Sequence, residues 1–598
     1  MIEVRFDDLG PASGRSFRLL DPVGTIEARR TDEVAGALAA VEAATERGLW
    51  AGGFLSYEAA PGLDPALSVR ARGAGDPFSD LPLLWFALFE GATEIDLPHP
   101  TAEEPGAALD AWVPSVARER FDAAIAEIRE RISAGDTYQV NYTLRLRAGI
   151  EGDERGLYRD LCLAQRGSYA SYLNLGRYRV LSASPELFFR IDADRITTRP
   201  MKGTMPRGRW PAEDDEAARR LVASTKDRAE NAMIVDLLRN DLGRISRPGS
   251  VEVPTMFEAE RYETVWQLTS TVTSRLTPEV GLPDVFRALF PSGSVTGAPK
   301  IRSMGIIAGL EDSPRGAYTG AIGYVAPRDA PGPRANFNVA IRTVMLDTRT
   351  GFAEYGVGGG ITHDSSAAAE YDEVLAKARV LTVRRPLFSL FETMRYEPRE
   401  GFHQLDAHLR RLASSARYFG FAYDEEAVGE ALEKAVAGED APVRVRCVLA
   451  RDGVLEVTLG PLSDRDPSAP VRLAIDDRRV DANDALLFHK TTLRGRYERA
   501  AARHPYADDV LLVNGRGEVT ESTVANVAVR LGGRWWTPPL DAGLLPGTGR
   551  AGALNEGTLK ERPITLEELR TAEEVALVSS VRGWRRAVFI GPDDPAPD

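Results

Sequence analysis

At 598 residues, with 43% hydrophobic and 27% charged residues, the chain has the make-up of a globular protein of roughly three to five domains. Its 88 acidic against 74 basic residues leave a net charge of −14, which excludes a general binder of nucleic acid or anionic membranes but allows a local basic pocket. The two cysteines, Cys162 and Cys447, stand in no metal-ligand spacing, so a disulfide framework is excluded and a reducing, cytoplasmic location is expected.

Met1–Asp8 lacks a basic stretch followed by an apolar one, so no signal peptide is read there. The densest apolar run, Leu81–Phe89, is too short to span a bilayer. Residues 1–110 alternate strand-like runs, such as Gly52–Tyr57, with turns, and form an N-terminal lobe that ends in a connector at Leu97–Pro105. Residues 111–382 form a larger domain. It opens with a helix over Arg118–Ala134, whose apolar stripe is Phe121, Ile125, Ile128 and Ile132, and Gly135 stops it before a strand at Thr137–Leu144. A hairpin, a long helix over Ser224–Leu242, the loop Pro291–Lys300, strands at Gly320–Val325 and Ala335–Leu346, and a helix over Ser366–Val380 follow. Residues 383–386 read as a linker. Beyond it lie a small lobe, 387–470, whose last stretch Pro461–Pro470 is a divider, a large lobe, 471–598, and a disordered acidic tail from Gly591. The expected fold class is α+β.

The hairpin carries the first candidate chemistry. Pro185–Ile191 and Arg195–Thr204 are rich in β-branched and aromatic residues and flank the break Asp192-Ala193-Asp194. A turn centred near Asp194 sets Glu186 opposite Lys202, a carboxylate beside an amine. A slip of one residue would send the lysine to the other face. Alone, such a pair is ordinarily an ion pair on a solvated sheet; in a cleft it holds a nucleophile and its acid/base partner.

Three further carboxylates stand on helices. Glu230 lies near a helix start, and Glu370 and Glu373 are three apart on one face. Hard oxygen ligands of this kind suit Mg²⁺. The run Gly356-Val357-Gly358-Gly359-Gly360 permits close backbone approach to an anion but has no Lys-Ser/Thr, so it is no Walker loop.

Ser184-Pro185-Glu186, Pro200–Thr204, Glu230–Leu242, Ser294–Lys300 and Gly356–Ile361 together resemble the chorismate-utilising enzymes over about 260 residues. The resemblance implies a two-lobed β-sandwich with flanking helices. Within that family, anthranilate synthases carry Ala where this chain has Lys202, and aminodeoxychorismate synthase component I carries Lys; Gln267, where anthranilate synthases usually have His, agrees. By the same resemblance, Lys202 attacks C2 of chorismate while Mg²⁺ helps expel the 4-hydroxyl, and ammonia then displaces the lysine by adding at C4. Glu186 is the implied acid/base, Glu230, Glu373 and Glu370 the metal ligands, and Arg342, Tyr324, Thr296, Gly356 and Gly358 the substrate contacts. No Gly-x-Cys-x-Gly nucleophile occurs, so a separate glutaminase subunit is expected to supply the ammonia.

In the second unit, Lys490 follows the apolar run Leu486–Phe488, Glu521 lies about 30 residues on, and His408–Leu412 reads as part of an amphipathic helix. His403 and His408 are five apart, off a common helix face, so they make no metal site. With Phe391–Arg395 and Val578–Gly583, these stretches resemble the fold-type IV pyridoxal-phosphate enzymes, towards 4-amino-4-deoxychorismate lyase. That implies a two-lobed unit like D-amino-acid aminotransferase, usually a homodimer. It implies further that Lys490 attaches the cofactor and moves protons, that Glu521 pairs with its pyridinium nitrogen, and that Arg411, Thr548 and Ser580 bind its phosphate. The product of the first unit would then be the substrate of the second, giving 4-aminobenzoate for folate. An anthranilate- or isochorismate-type synthase fused to an aminotransferase is the rival, as is a second unit that serves only as a scaffold.

Overall fold

The computed structural model describes residues 2–591 except 11–15, 74, 99–107, 110, 383–386 and 463–468. Most of the Leu97–Pro105 connector, the 383–386 linker, most of the Pro461–Pro470 divider and the tail beyond Gly591 lie outside the described residues. Two compact units are present: Met1–Pro206 with Ala217–Arg385, and Pro386–Asp598 with the segment Arg207–Glu216. No helix among the described residues is long and apolar enough to cross a membrane.

The first unit is built on two large, mostly antiparallel sheets, of eleven and ten strands among the described residues. Their inner faces meet over Val4, Phe54, Trp85, Leu173, Val180 and Ile322, all buried. The outer face of the ten-stranded sheet packs on helices Val34–Glu46, Thr225–Gly243 and Leu282–Leu289. The outer face of the eleven-stranded sheet packs on Arg118–Ser133, Glu154–Gln165 and Ala367–Ala378. This is the α+β sandwich with flanking helices that the motifs implied.

Helix limits follow local chemistry. Gly135, at φ 80°, ends the helix over Arg118–Ser133. Ser224 caps the next long helix by accepting from the Asp227 N–H, and Ser366 caps Ala367–Ala378 by accepting from Ala369 N–H.

Two expectations give way. The hairpin turns on Ala193 and Asp194, but its register pairs Asp192 with Arg195 and, after a bulge, Leu187 with Arg199. Glu186 is therefore not opposite Lys202. The strand stops at Arg199, and Lys202 lies on the separate strand Met201–Pro206, paired to Val265–Arg275. The turn centres between Ala193 and Asp194, which sets the register one residue off the expected one, and the bulge shifts it by one more. Likewise Ala335–Leu346 is not one strand: Ala335–Val339 belongs to the ten-stranded sheet and Thr343–Asp347 to the eleven-stranded one.

In the second unit a four-stranded sheet packs on helices Leu405–Phe419 and Glu425–Val436. An eight-stranded mixed sheet forms the rest of its framework. The segment Arg207–Glu216 belongs to this unit: Trp210 stacks on Phe488 with ring centroids 4.9 Å apart, and the Tyr418 hydroxyl donates to the Gly208 carbonyl at 2.6 Å.

Candidate active sites

The first site forms where the chain crosses between sheets. One crossing is Pro185–Glu186, between strands Tyr178–Ser184 and Leu187–Asp192; the other is Ala340–Arg342. They are bonded together, Val339 N–H donating to the Glu186 carbonyl at 3.1 Å and Ala183 N–H to the Arg342 carbonyl at 3.0 Å. Arg342 holds φ 53°, a left-handed conformation uncommon outside glycine and kept here by those bonds.

Glu186, Lys202, Glu230, Arg342, Gly356, Gly358, Glu370 and Glu373 all line one cavity. Register arithmetic failed, yet the predicted partners share a pocket. Glu186 is 3% exposed, and the Ser294 hydroxyl donates to it at 2.6 Å. Burial pushes its carboxyl up to about 7, against the opposing pull of Ser294, the Lys202 charge and the Met201 N–H. Near neutral pH it can both give and take a proton.

The Lys202 ammonium lies 3.7 Å from Glu230. A methyl group placed on Gly360 would sit 2.2 Å from both Lys202 Nζ and Gln139 Nε2, so these nitrogens converge over that glycine. Gln139 is fully buried, and among the described residues neither its amide oxygen nor its nitrogen has a partner. An orphaned buried amide costs about 1–3 kcal/mol, so its persistence beside the amine points to a ligand that completes it.

Glu370 accepts from the Ser365 hydroxyl at 2.7 Å, and burial raises its carboxyl above the ordinary range. Glu373 is held lower, chiefly by Lys377, whose ammonium lies 2.6 Å away and also donates to the Gly358 carbonyl at 2.8 Å. Three carboxylates of the type that suits a hard divalent cation line one cavity, but their oxygens do not all lie within 4.8 Å of one another, Glu230 standing near Lys202 and Glu373 being paired with Lys377.

Two predicted contacts are placed elsewhere. Tyr324 is 8% exposed within an aromatic cluster, edge-on to Phe17 with centroids 5.1 Å apart, because its strand turns it towards the inter-sheet core. Thr296 is fully buried, and its hydroxyl donates back to the Ser292 carbonyl at 3.1 Å. The cavity is lined instead by Tyr318, Tyr355, Ser294, Asn141 and Lys377. The signal for Gln139 and Asn141 was faint: two amides alternate with Val140 and Tyr142 at the start of a strand that also carries Thr143, Arg145 and Arg147.

The second site surrounds Lys490, in a cavity that Glu521, Arg411, Thr548 and Ser580 also line. The Lys490 ammonium lies 4.9 Å from the centre of the Phe391 ring. Burial lowers its amine to about 8, with Arg411 acting the same way, which favours the neutral form a carbonyl-binding amine needs. The Glu521 carboxyl accepts from the Tyr497 hydroxyl at 2.8 Å and from Leu545 N–H at 3.0 Å. Burial lifts it to about 7.

Thr548 opens the helix Thr548–Asn555, whose first N–H groups favour an anion. A side chain on Gly549 would meet the Ser579 and Ser580 backbone at 2.8 and 2.9 Å, so only glycine lets this turn sit against Ser580. Arg411 is committed to Glu392 through two bonds, at 2.8 and 2.6 Å, and its remaining Nη1 donates to the Pro546 carbonyl. A half-buried lysine, a held carboxylate and an anion cradle suit pyridoxal phosphate.

The profile of the chorismate binding enzymes matches residues 12–383, and that of the class IV amino-transferases matches residues 389–590. Aminodeoxychorismate synthase component 1 of Klebsiella aerogenes is 43% identical over 267 residues, 45% of this chain and 58% of that protein. Anthranilate synthase component 1 of Streptomyces coelicolor is 41% identical over 277 residues, 46% of this chain and 53% of that protein. The chain thus spans a little over half the length of these relatives. The crystal structure of anthranilate synthase component I from Streptococcus pneumoniae superposes with a TM-score of 0.54 at 28% identity, covering 62% of this chain and 93% of that one.

Proposed function

Because the chain belongs to the chorismate-binding enzymes, we propose that its first unit makes 4-amino-4-deoxychorismate from chorismate and ammonia and that its second unit converts this product to 4-aminobenzoate and pyruvate. The observation that carries the reading is the Lys202 amine in one cavity with a buried carboxyl poised near neutrality, Glu186. The aminodeoxychorismate synthase component 1 of Klebsiella aerogenes supports it by its name.

The Lys202 amine bonds to C2 of chorismate as the ring double bonds shift and the 4-hydroxyl departs, protonated by Glu186. Ammonia then bonds to C4, the double bonds shift back, and the lysine leaves as a free amine; Glu186 removes the surplus proton. The orphaned Gln139 amide holds the ammonia or the departing oxygen beside Lys202. Arg342 pairs with a substrate carboxylate, and the backbone of Gly356–Gly358 approaches it closely. Glu230, Glu370 and Glu373 would hold Mg²⁺, which supplies charge neutralisation at the leaving hydroxyl.

Pyridoxal phosphate, when bound, supplies an electron sink for the second reaction. Lys490 takes a proton from the ring carbon that bears the amine, and aromatisation drives the loss of pyruvate. Glu521, fixed by Tyr497 and Leu545, would hold the pyridine nitrogen, and Thr548 and Ser580 would take the phosphate; Arg411, expected there too, is instead engaged by Glu392 and the Pro546 carbonyl. The same reading brings a separate glutaminase subunit, supported by the designation component 1 in the relative, and self-association through the second unit.

The test is incubation of the purified chain with chorismate, ammonium, Mg²⁺ and pyridoxal phosphate, with products resolved by chromatography. 4-Aminobenzoate and pyruvate are expected. Anthranilate would overturn the synthase assignment, and accumulated aminodeoxychorismate without 4-aminobenzoate would overturn the lyase assignment. Glutamine serving as well as ammonium without any partner would exclude the separate subunit.

A further inference from the structure

The cavity around Lys490 holds more positive charge than a cofactor phosphate accounts for. Arg444 and Arg446 lie two apart on the strand Val443–Leu449, so both project from the same face of the small sheet, on which Arg446 is registered directly against Thr393. That face lines the cavity through Phe391, Thr393 and both arginines. Arg494, from just before the helix Gly495–Arg503, lines it too.

None of the three guanidinium groups has a carboxylate partner among the described residues. Arg446 lies 4.0 Å over the Phe391 ring, the ring that the Lys490 ammonium also faces. Arg494 lies 4.6 Å over Tyr497 and donates to the Thr523 carbonyl. Arg411, by contrast, is neutralised by Glu392. The one carboxylate among the cavity's lining side chains, Glu521, is occupied by Tyr497, Leu545 and Asn526. The arginines crowd one another: Arg446 is held below the usual arginine range by burial and by its neighbours Arg494 and Arg444, with Glu456 opposing weakly. Arg446 and Arg494 are half-buried and Arg444 is exposed, and like charges left without a carboxylate on one cavity wall favour an anion. One carboxylate would satisfy only part of this cluster.

We propose that Arg444, Arg446 and Arg494 form a receptor that selects, for the second unit, an amino substrate carrying two carboxylates, and rejects ordinary monocarboxylate amino acids. The specificity assigned here rests on the lyase reading of that unit, whose substrate bears a ring carboxylate and an enolpyruvyl carboxylate. The receptor itself rests on the cation cluster alone. Discrimination then comes largely from what a wrong ligand leaves unpaired: a monocarboxylate buries guanidinium groups without partners.

The test uses the full chain loaded with pyridoxal phosphate and two unreactive probes, terephthalate with two carboxylates and benzoate with one. The wild type is expected to bind terephthalate at least about tenfold more tightly. Arg446→Leu and Arg494→Leu should each erase most of that preference and raise KM for aminodeoxychorismate by about 10- to 100-fold with a smaller change in kcat. Arg446→Lys should recover part of both, and affinity for pyridoxal phosphate should stay within about threefold of wild type. Equal affinity for the two probes in the wild type would overturn the receptor. So would variants that lose pyridoxal phosphate while keeping the probe preference, since the arginines would then serve the cofactor phosphate. A wild type that prefers terephthalate but leaves aminodeoxychorismate unchanged would uphold the receptor and overturn only the lyase reading.

Discussion

Replacing Glu186 by Gln keeps the size of the side chain and removes its ionisation. The carboxyl is fully buried, and burial moves it from 4.5 to about 7. Holding the ionised form there costs about 3 kcal/mol relative to water. Because the folded value is raised, the native state binds the extra proton between about pH 4.5 and 7, and wild-type stability falls as pH rises through that window. Glu186→Gln escapes this loss. In thermal unfolding it should match the wild type near pH 4.5 and exceed it above pH 7, by an amount that approaches about 3 kcal/mol. Synthase turnover should move the other way. Loss of a positioned acid/base lowers kcat by about 10²- to 10⁴-fold, and the pH limb near 7 should vanish from what remains. The assay is initial-rate formation of aminodeoxychorismate from chorismate and ammonium across pH 5.5 to 9, paired with melting curves at the same pH values. A variant with near-wild-type rate and an unchanged limb would refute the role given to Glu186. A variant with no pH-dependent gain in stability would refute the burial argument.

Lys202→Ala should abolish aminodeoxychorismate formation while the second unit still converts supplied aminodeoxychorismate; undiminished synthesis would exclude a covalent role for the lysine. Gln139→Leu should leave the protein as stable as the wild type or more so, because it removes an orphaned amide, yet cut synthase kcat by about tenfold or more; an unfolded variant or a fully active one would contradict the functional reading. Lys490→Ala should lose the visible absorbance of the bound cofactor and all 4-aminobenzoate formation while synthase activity persists. Gly549→Ala forces the cofactor turn off Ser579 and Ser580 and should weaken pyridoxal phosphate binding by about tenfold or more, read by titration of the apo-protein; unaltered affinity would show that the turn has room.

Much of this was legible in the linear chain. Helix ends were written in caps and glycines, Ser224, Ser366 and Gly135. Short motifs marked Lys202, Glu186, Glu230, Glu373, Lys490 and Glu521, and all six line one or other cavity. These are local properties, set by a residue and its near neighbours.

What the chain order concealed was which sheet each strand joins. Glu186 and Arg342 stand in the same cavity because the chain changes sheets at both points, and nothing in an apolar run such as Ala335–Leu346 announces a crossing. A turn centred between Ala193 and Asp194, not on Asp194, put the register one residue off, the bulge between Leu187 and Arg190 moved it one further, and long-range packing brought Glu186 and Lys202 together instead. The same cause sent Tyr324 into the inter-sheet core and Gln139 to Lys202: a strand's alternation says that residues face opposite ways, but only its partners decide which way is the site. Residue chemistry was thus determined by the sequence, and the burial that moves Glu186 and Glu521 to about 7 and Lys490 to about 8 was decided by the tertiary structure, since desolvation depends on atoms brought from distant parts of the chain.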